Sequence, residues 1–332
     1  MRLFLAGLLL AALAVPGGAS AQDSAKADSW AGKAAAWQEP AIVQDYEPDP
    51  AIWLVEDEDT RIYLLGTIHV LPAGFRWRSE RLDGILAEAD ELIVESSGEE
   101  AGEQASVAEL LRSFGKRPRV SEMLSPASGA KWLALGKSIG VPPEVFDRMP
   151  PLLALFGISS SLSSQESQSE REYGVETVLE AEFGAAGKPI GSIESATAVL
   201  GSLLAIDESL LIKELERDLS RWDGRSLQTL FPAGSPEGSD ADEAYSPLAE
   251  EHAWASGREV DVRDELFGET QFSRMIGTRL LDDRNRAWAG WLEQRLAAPG
   301  TILVAVGAGH LAGDNSLQDM LSERGLAAVR VN

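Results

Sequence analysis

The chain contains no cysteine among its 332 residues. That absence removes disulfides, cysteine-based zinc sites and a cysteine nucleophile together, and leaves an exported protein to be held by its packed core alone. Histidine is nearly as scarce, with three in the whole chain. Positive charge is also sparse: 29 Lys and Arg face 53 Asp and Glu, for a formal net charge of −24. Such a field repels nucleic-acid phosphates and anionic membranes, so no nucleic-acid partner is expected. Beyond the first segment, no apolar run is long enough to span a bilayer. A G-x-S-x-G elbow, an HExxH pair, a P-loop and a G-x-G-x-x-G loop after a strand are all missing. Serine hydrolases of that type, zincins, NTPases and Rossmann dehydrogenases are therefore excluded.

What is present begins with a leader. Arg2, the apolar run Leu3–Val15 and Ala19-Ser20-Ala21 form the n-region, h-region and A-x-A cut of a secretory signal peptide over residues 1–21. Cleavage before Gln22 predicts a periplasmic or secreted protein. Residues 22–50 are rich in Ala, Asp and Pro without a period, and read as a flexible lead-in. The folded domain is expected over residues 51–332.

Within it, AIWLV at 51–55 and RIYLLG at 61–66 read as a hairpin across an acidic turn. Helical spacing at 79–89, with Ser79 as N-cap, is followed by the strand ELIVE at 91–95. Strand, helix, strand is the order of α/β layering. Helices are expected at 105–114, 126–139 and 152–161. Four prolines make 141–151 a connection without helix. Residues 159–169 are a polar loop or cover. Tyr173–Ala186 is amphipathic, and 190–194 is a short strand ending on an acid. A long helical stretch over 196–220 breaks near Asp207, residues 231–245 are a surface loop, and one long helix runs over 272–296. Strand 301–306, helix 316–325 and edge strand 327–331 complete a single α/β domain with a mixed sheet and packed helices.

The chemistry concentrates at two repeated units. Arg61–Val70 is a strand running into Gly66 and His69; Thr301–Gly313 is a strand running into Gly307, Gly309 and His310. Two of the three histidines thus end a strand–GxxH unit, which hints at two related halves. Both leave their strand at its C-terminal end, where α/β folds place their sites. Read separately, each GxxH is an ordinary turn. Read together, two histidines and a carboxylate suit a divalent ion such as Zn, Mn or Co, which would activate water and polarise a carbonyl. Glu95, one βα unit after His69, is the natural third metal ligand. Glu176 near a helix start and Glu194 at a strand end are candidates for ligand or general base. Arg284 and Asn285 lie mid-helix; an Arg there steadies an oxyanion, holds a carboxylate ligand, or forms a surface salt bridge. His252 reads as a surface residue.

At these residues the chain resembles the TraB/GumN family, which includes the animal Tiki proteins. The resemblance is carried by YLLGTIHVLP at Tyr63–Pro72, ELIVES at Glu91–Ser96 and YGVETVLEAEFGAAGKPIGSIES at Tyr173–Ser195. It continues in DDRNRAWAGWL at Asp282–Leu292 and VAVGAGHLAGDNSLQDML at Val304–Leu321. Tiki members are regarded as membrane-tethered, metal-dependent proteases, and the erythromycin esterase-like proteins are similar in carrying a His/Glu hydrolytic centre. The resemblance implies that His69, Glu95 and His310 match the central positions, with Glu176, Glu194, Arg284 and Asn285 at further motif positions. Two departures bear on substrate: Met149-Pro150-Pro151 stands where members often have Pro-Trp, and the 159–169 insert is unusually polar. A Tiki-like membrane anchor is also lacking.

The expectation is an exported metal-dependent hydrolase of peptidase type acting on a peptide or protein. The alternative from another class is a non-catalytic binding protein tied to envelope or exopolysaccharide processes. A third reading is a metal-free hydrolase with a His as general base.

Overall fold

The computed structural model describes residues 42–96, 101–158, 169–224, 248–263 and 270–331. The expected signal segment, most of the expected lead-in, the expected 231–245 loop and residues 159–168 lie outside the described residues. Among the described residues there are eight strands, the longer ones on aliphatic runs: β1 (Ile52–Glu56), β2 (Thr60–Thr67), β3 (Leu71–Pro72), β4 (Glu91–Val94), β5 (Ser169–Glu170), β6 (Ile190–Ser192), β7 (Gly300–Gly307) and β8 (Val329–Arg330). The helices that matter below are α1 (Glu80–Glu88), α2 (Ala101–Phe114), α3 (Pro126–Ser138), α4 (151–158), α5 (Val175–Ala185), α6 (Ala196–Leu204), α7 (Glu208–Arg221), α8 (Ala249–Ala255), α9 (Gln271–Gly277), α10 (Asp283–Arg295) and α11 (Leu317–Ser322).

Six strands form one mixed sheet in the order β6-β4-β7-β2-β1-β8. The four from β6 to β2 are parallel; β1 is antiparallel to both β2 and β8. In central β7, Ile302–Val306 are fully buried. A continuous apolar run is what a parallel strand covered on both faces requires. At roughly 1.5–3 kcal/mol per buried large aliphatic side chain, this stretch anchors the sheet.

Period-2 alternation divides the two faces. Tyr63, Leu65, Leu92, Val94, Leu303 and Ala305 pack against α1, α5 and α8. Ile62, Leu64, Ile93, Ile302, Val304 and Val306 pack against α10 and α11 through Trp288, Leu292, Leu317 and Leu321. A third core is mainly helical, drawing on α2 to α4, α6, α7 and α9 around Trp132 and Phe146, with Leu124, Ile206, Trp222 and Val262 added from connections. The helix starts follow their caps. Ser79 accepts from the Leu82 amide, Asp207 from Ser209, and Ser316 forms a capping box with Asp319.

Several expectations need correction. Residues 141–151 contain a turn of helix at Pro143–Phe146, because Pro143 falls in the first turn, where its missing N–H costs nothing. The long helix over 272–296 is interrupted by a π-helical segment, Thr278–Asp282. The small ladder of β3 with β5 is new, formed by Leu71 opposite Glu170 and Pro72 opposite Ser169. The two GxxH units lie side by side on β2 and β7, but their glycines are one residue out of register: Gly66 pairs with Val306, and Gly307 with Thr67. Their exits differ too, since β7 passes into a 3₁₀ turn over Ala308–Leu311. The halves are therefore alike in pattern and not in backbone.

Candidate functional site

Each of the four parallel strands delivers one predicted site residue just past its carboxyl end. His69 follows β2, Glu95 follows β4, Glu194 follows β6 and His310 follows β7. The strands are neighbours, so residues 241 positions apart in the chain (310 − 69) meet at one edge of the sheet. Such an edge is where open α/β sheets hold their ligands.

The meeting point is the backbone of Gly307. A Cβ placed there would lie 3.0 Å from Glu95 Oε1, 3.7 Å from His310 Cδ2 and 3.8 Å from His69 Nε2. Its φ of −50° is available to any residue. Glycine is needed for close approach, not for a turn. Gly66 serves the same end, because a Cβ would lie 3.0 Å from the Ala308 Cα on the neighbouring turn. Gly309 lets Val262 close against the His310 turn, its Cγ2 only 2.6 Å from where a Cβ would sit.

Both imidazoles are oriented from behind. His69 Nδ1 donates to Glu176 Oε1 at 2.7 Å, and Thr67 Oγ1 donates to the same oxygen. Glu176 reaches it because the Val175 amide donates to the Ile68 carbonyl at 3.0 Å, fixing the start of α5 beneath the His69 turn. His310 Nδ1 donates to Asn285 Oδ1 at 2.6 Å. The Asn285 amide orientation is fixed by its Nδ2, which donates to the Asn315 carbonyl at 2.8 Å. With Nδ1 carrying the hydrogen in each ring, the neutral form of each imidazole leaves a lone pair on Nε2. Trp288 packs on His310 with ring centroids 4.3 Å apart.

Glu95 is buried and held by Arg284 Nη2 at 2.5 Å and the Gly307 amide at 2.6 Å. Arg284 also donates through Nε to Glu194 Oε2 at 2.9 Å, through Nη2 to Glu194 Oε1, and through Nη1 to the Leu280 carbonyl at 3.0 Å. Trp288 Nε1 adds a bond to Glu194 Oε2 at 2.9 Å. Arg284 is thus buried and not a surface salt-bridge residue; with both partners out of water, removing either would leave an uncompensated buried charge. Its Nε and both Nη atoms are committed to these acceptors.

The charges follow from this packing. Burial opposes ionisation of Glu95 most strongly, yet the Arg284 guanidinium and the Gly307 amide hold it well below the usual carboxylate range. Burial raises Glu194, Arg284 opposes that rise, and the charge of Glu95 adds to it. The two acids sharing one guanidinium are pushed apart, as an acid and a base require. Burial and Arg284 push His310 well below the ordinary histidine value, so it is neutral. Burial also works against charge on His69, but Glu176, with help from Glu95, outweighs it and raises the ring.

The seven predicted residues fall into three bonded groups, His69 with Glu176, His310 with Asn285, and Glu95 and Glu194 with Arg284, and His69, Glu95 and His310 bring these groups together at Gly307. Thr67, Trp288 and Gly174 belong to this cluster as well and are not evident from the pattern alone. A signal for Trp288 exists, since it lies four positions after Arg284 on the same helix face. His252 is half-buried, bonded to the Tyr46 hydroxyl at 2.8 Å and packed on Phe75, away from this network.

His69 Nε2, Glu95 Oε1 and His310 Nε2 are the donors that could hold a divalent ion. His310 Nε2 and Glu95 Oε1 are 3.7 Å apart, too far for a hydrogen bond and close to the spacing of about 3.3 Å between two ligands of one tetrahedral ion. Two acceptors facing each other across such a gap suit a cation. Backing of ligand histidines by a carboxylate and an amide is the usual outer shell of such sites. Among the described residues no three such donors stand in a ready-made coordination shell. Nor is any described helix long and apolar enough to cross a membrane.

The TraB/PrgY/gumN family model matches residues 51–330. Uncharacterized protein YbaP of Escherichia coli (strain K12) is 26% identical over 281 residues, covering 82% of this chain and 92% of that one. Uncharacterized protein YbaP of Shigella flexneri shows the same identity and coverage. No solved structure gives a significant match. The matched span contains both GxxH units and every residue of the network, and the chain belongs to the TraB/PrgY/gumN family.

Proposed function

We propose that the chain is an exported, metal-dependent hydrolase of peptidase type. The observation that supports this most directly is the convergence at Gly307, where Glu95 Oε1, His310 Cδ2 and His69 Nε2 lie 3.0, 3.7 and 3.8 Å from the place a Cβ would occupy. His69, Glu95 and His310 would hold the ion. A bound divalent ion there supplies a more acidic water and a polarised carbonyl. Glu176 and Asn285 keep each ring's lone pair turned inward. Arg284 positions Glu95 and Glu194, and its donors are already engaged, so holding the ligand acid is a better role for it than binding an oxyanion. Glu194, its affinity for a proton raised by burial, is the general base that takes a proton from water and returns it to the leaving amine. The similarity to Tiki proteins favours an amide bond as substrate, and the A-x-A leader favours export.

The test is an internally quenched peptide library with the mature protein loaded with Mn²⁺, Co²⁺ or Zn²⁺. Chelator-sensitive cleavage is expected. Glu194→Gln should lower kcat by about 100-fold or more with KM little changed. Metal bound without cleavage of any peptide would instead favour the non-catalytic binding protein. Cleavage that survives complete chelation would favour the metal-free reading, for which the His69–Glu176 pair is the specific support.

A further inference from the structure

Asn315 has a left-handed backbone, with φ at +57°, and is the one non-glycine residue in that region among the described residues. Its side chain is exposed. An exposed Asn in this conformation matters for what its backbone does, because β-branched and bulky residues reach it only with strain. Here the backbone turns a carbonyl inward. The Asn315 carbonyl accepts from Asn285 Nδ2 at 2.8 Å and from Arg263 Nη2 at 3.3 Å.

Three parts of the fold converge on that carbonyl. Asn285 comes from α10. Arg263 comes from the connection after α8, and its Nη1 donates to Asp282, just ahead of α10, at 2.8 Å. Asn315 itself lies between the 3₁₀ turn that bears His310 and Ser316, the cap of α11. The two residues before Arg263 grip the same loop. Val262 closes on Gly309, and the Asp261 carboxylate occupies the place a Cβ on Gly313 would take.

The consequence falls on an amide with two possible orientations. The Asn285 side chain ends in an acceptor and a donor of nearly equal size. As placed, Nδ2 donates to the Asn315 carbonyl and, at 3.4 Å, to the His310 carbonyl, while Oδ1 accepts from His310 Nδ1 at 2.6 Å. Turned over, Oδ1 would face two carbonyl oxygens, and the amino group would force His310 Nδ1 to accept. The Asn315 carbonyl therefore decides which nitrogen of His310 carries the hydrogen.

We propose that Asn315 is a positioning residue for His310: its left-handed backbone aims the carbonyl that orients Asn285, and Asn285 holds the His310 hydrogen on Nδ1 and leaves Nε2 bare. The choice of tautomer stands on this geometry alone; its value for holding an ion rests on the hydrolase reading.

The experiment is ¹⁵N NMR of the purified, chelator-treated protein labelled at histidine, at pH 8. Three histidines give three pairs of ring signals, and His310→Gln identifies the pair sought. Wild type should show a protonated Nδ1 and a bare Nε2 at His310, the opposite of what a neutral imidazole prefers in water. Asn315→Gly should keep that tautomer, since glycine adopts the same backbone freely. Asn315→Val should move the hydrogen toward Nε2 and lower divalent-ion affinity about tenfold or more in calorimetric titration. If circular dichroism shows that Asn315→Val does not fold, Asn315→Ala gives the same comparison at a smaller backbone cost. Hydrogen on Nε2 in wild type, an unchanged His310 tautomer in the folded Val or Ala variant, or a loss in Asn315→Gly as large as theirs would overturn the proposal. The predicted tautomer shift in a protein that binds no ion would keep this inference and remove the metal centre. Ion binding with an unchanged tautomer would do the reverse.

Discussion

At the scale of single residues, the site depends on one missing side chain. Gly307 is glycine because its Cβ position is the space bounded by Glu95, His69 and His310. Gly307→Ala should leave the fold in place, since the backbone there is open to alanine, with Tm within about 5 °C of wild type. It should lower divalent-ion affinity about tenfold or more; calorimetric ion titration beside a thermal melt reads both. Asn285 is fully buried, and its Oδ1 is the acceptor for His310. Asn285→Ala should cost about 1–3 kcal/mol in urea unfolding and roughly 10–100-fold in ion affinity. Glu95 brings a pH dependence. Its folded value is depressed, so its contribution is present above the ordinary carboxylate value near 4.5 and is lost as pH falls below that toward the folded value. Arg284→Met should flatten that acid limb while destabilising the protein by about 3–5 kcal/mol, as measured by urea titrations from pH 2 to 6.

At the scale of elements, α5 and α8 show how packing sets the site and where it is strained. The α5 start is seated on the His69 carbonyl through Gly174, with no room for a Cβ. Gly174→Ala must shift α5, pull Glu176 from His69 and destabilise the fold by about 2–4 kcal/mol, which chemical unfolding will show. Helix α8 holds the Gly66 carbonyl through Trp254 Nε1 at 2.9 Å. One turn earlier Glu251 is fully buried, with neither carboxylate oxygen hydrogen-bonded among the described residues. Burial raises its pKa from 4.5 to about 7. For an acid raised on folding, the native state holds the proton longer than the unfolded chain. Stability therefore falls as pH rises from about 4.5 to 7, by on the order of 3 kcal/mol. Glu251→Gln should remove that alkaline loss and melt higher than wild type at pH 8, which parallel thermal melts at pH 5 and pH 8 will show.

The element scale also explains what could be read from the chain. Strands, the cap at Ser79 and the break at Asp207 were legible because each rests on local pattern, as Ile302–Val306 does for a buried strand; the capping box at Ser316 was not read. The convergence of His69 and His310 was legible only as a coincidence of two motifs, because the pairing of β2 with β7 joins distant segments. Arg284 reads as exposed from its neighbours Asp282, Asp283 and Arg286. Its burial is set by Glu95 and Glu194, which arrive from other strands. The π segment before it and the β3–β5 ladder leave no local signature.

At the scale of the molecule, one mixed sheet gathers an acidic chain around a single concentrated pair of histidines. No disulfide contributes, so three apolar clusters and the Arg284 network hold the site together. The measurement that tests this most directly is metal content by mass spectrometry on the purified protein after reconstitution with Mn²⁺, Co²⁺ and Zn²⁺. Wild type is compared with the His69→Ala/His310→Ala double variant, and circular dichroism checks that both are folded. The account predicts about one ion per wild-type chain and none in the variant. Equal content in both folded proteins, or no ion in either, would contradict it.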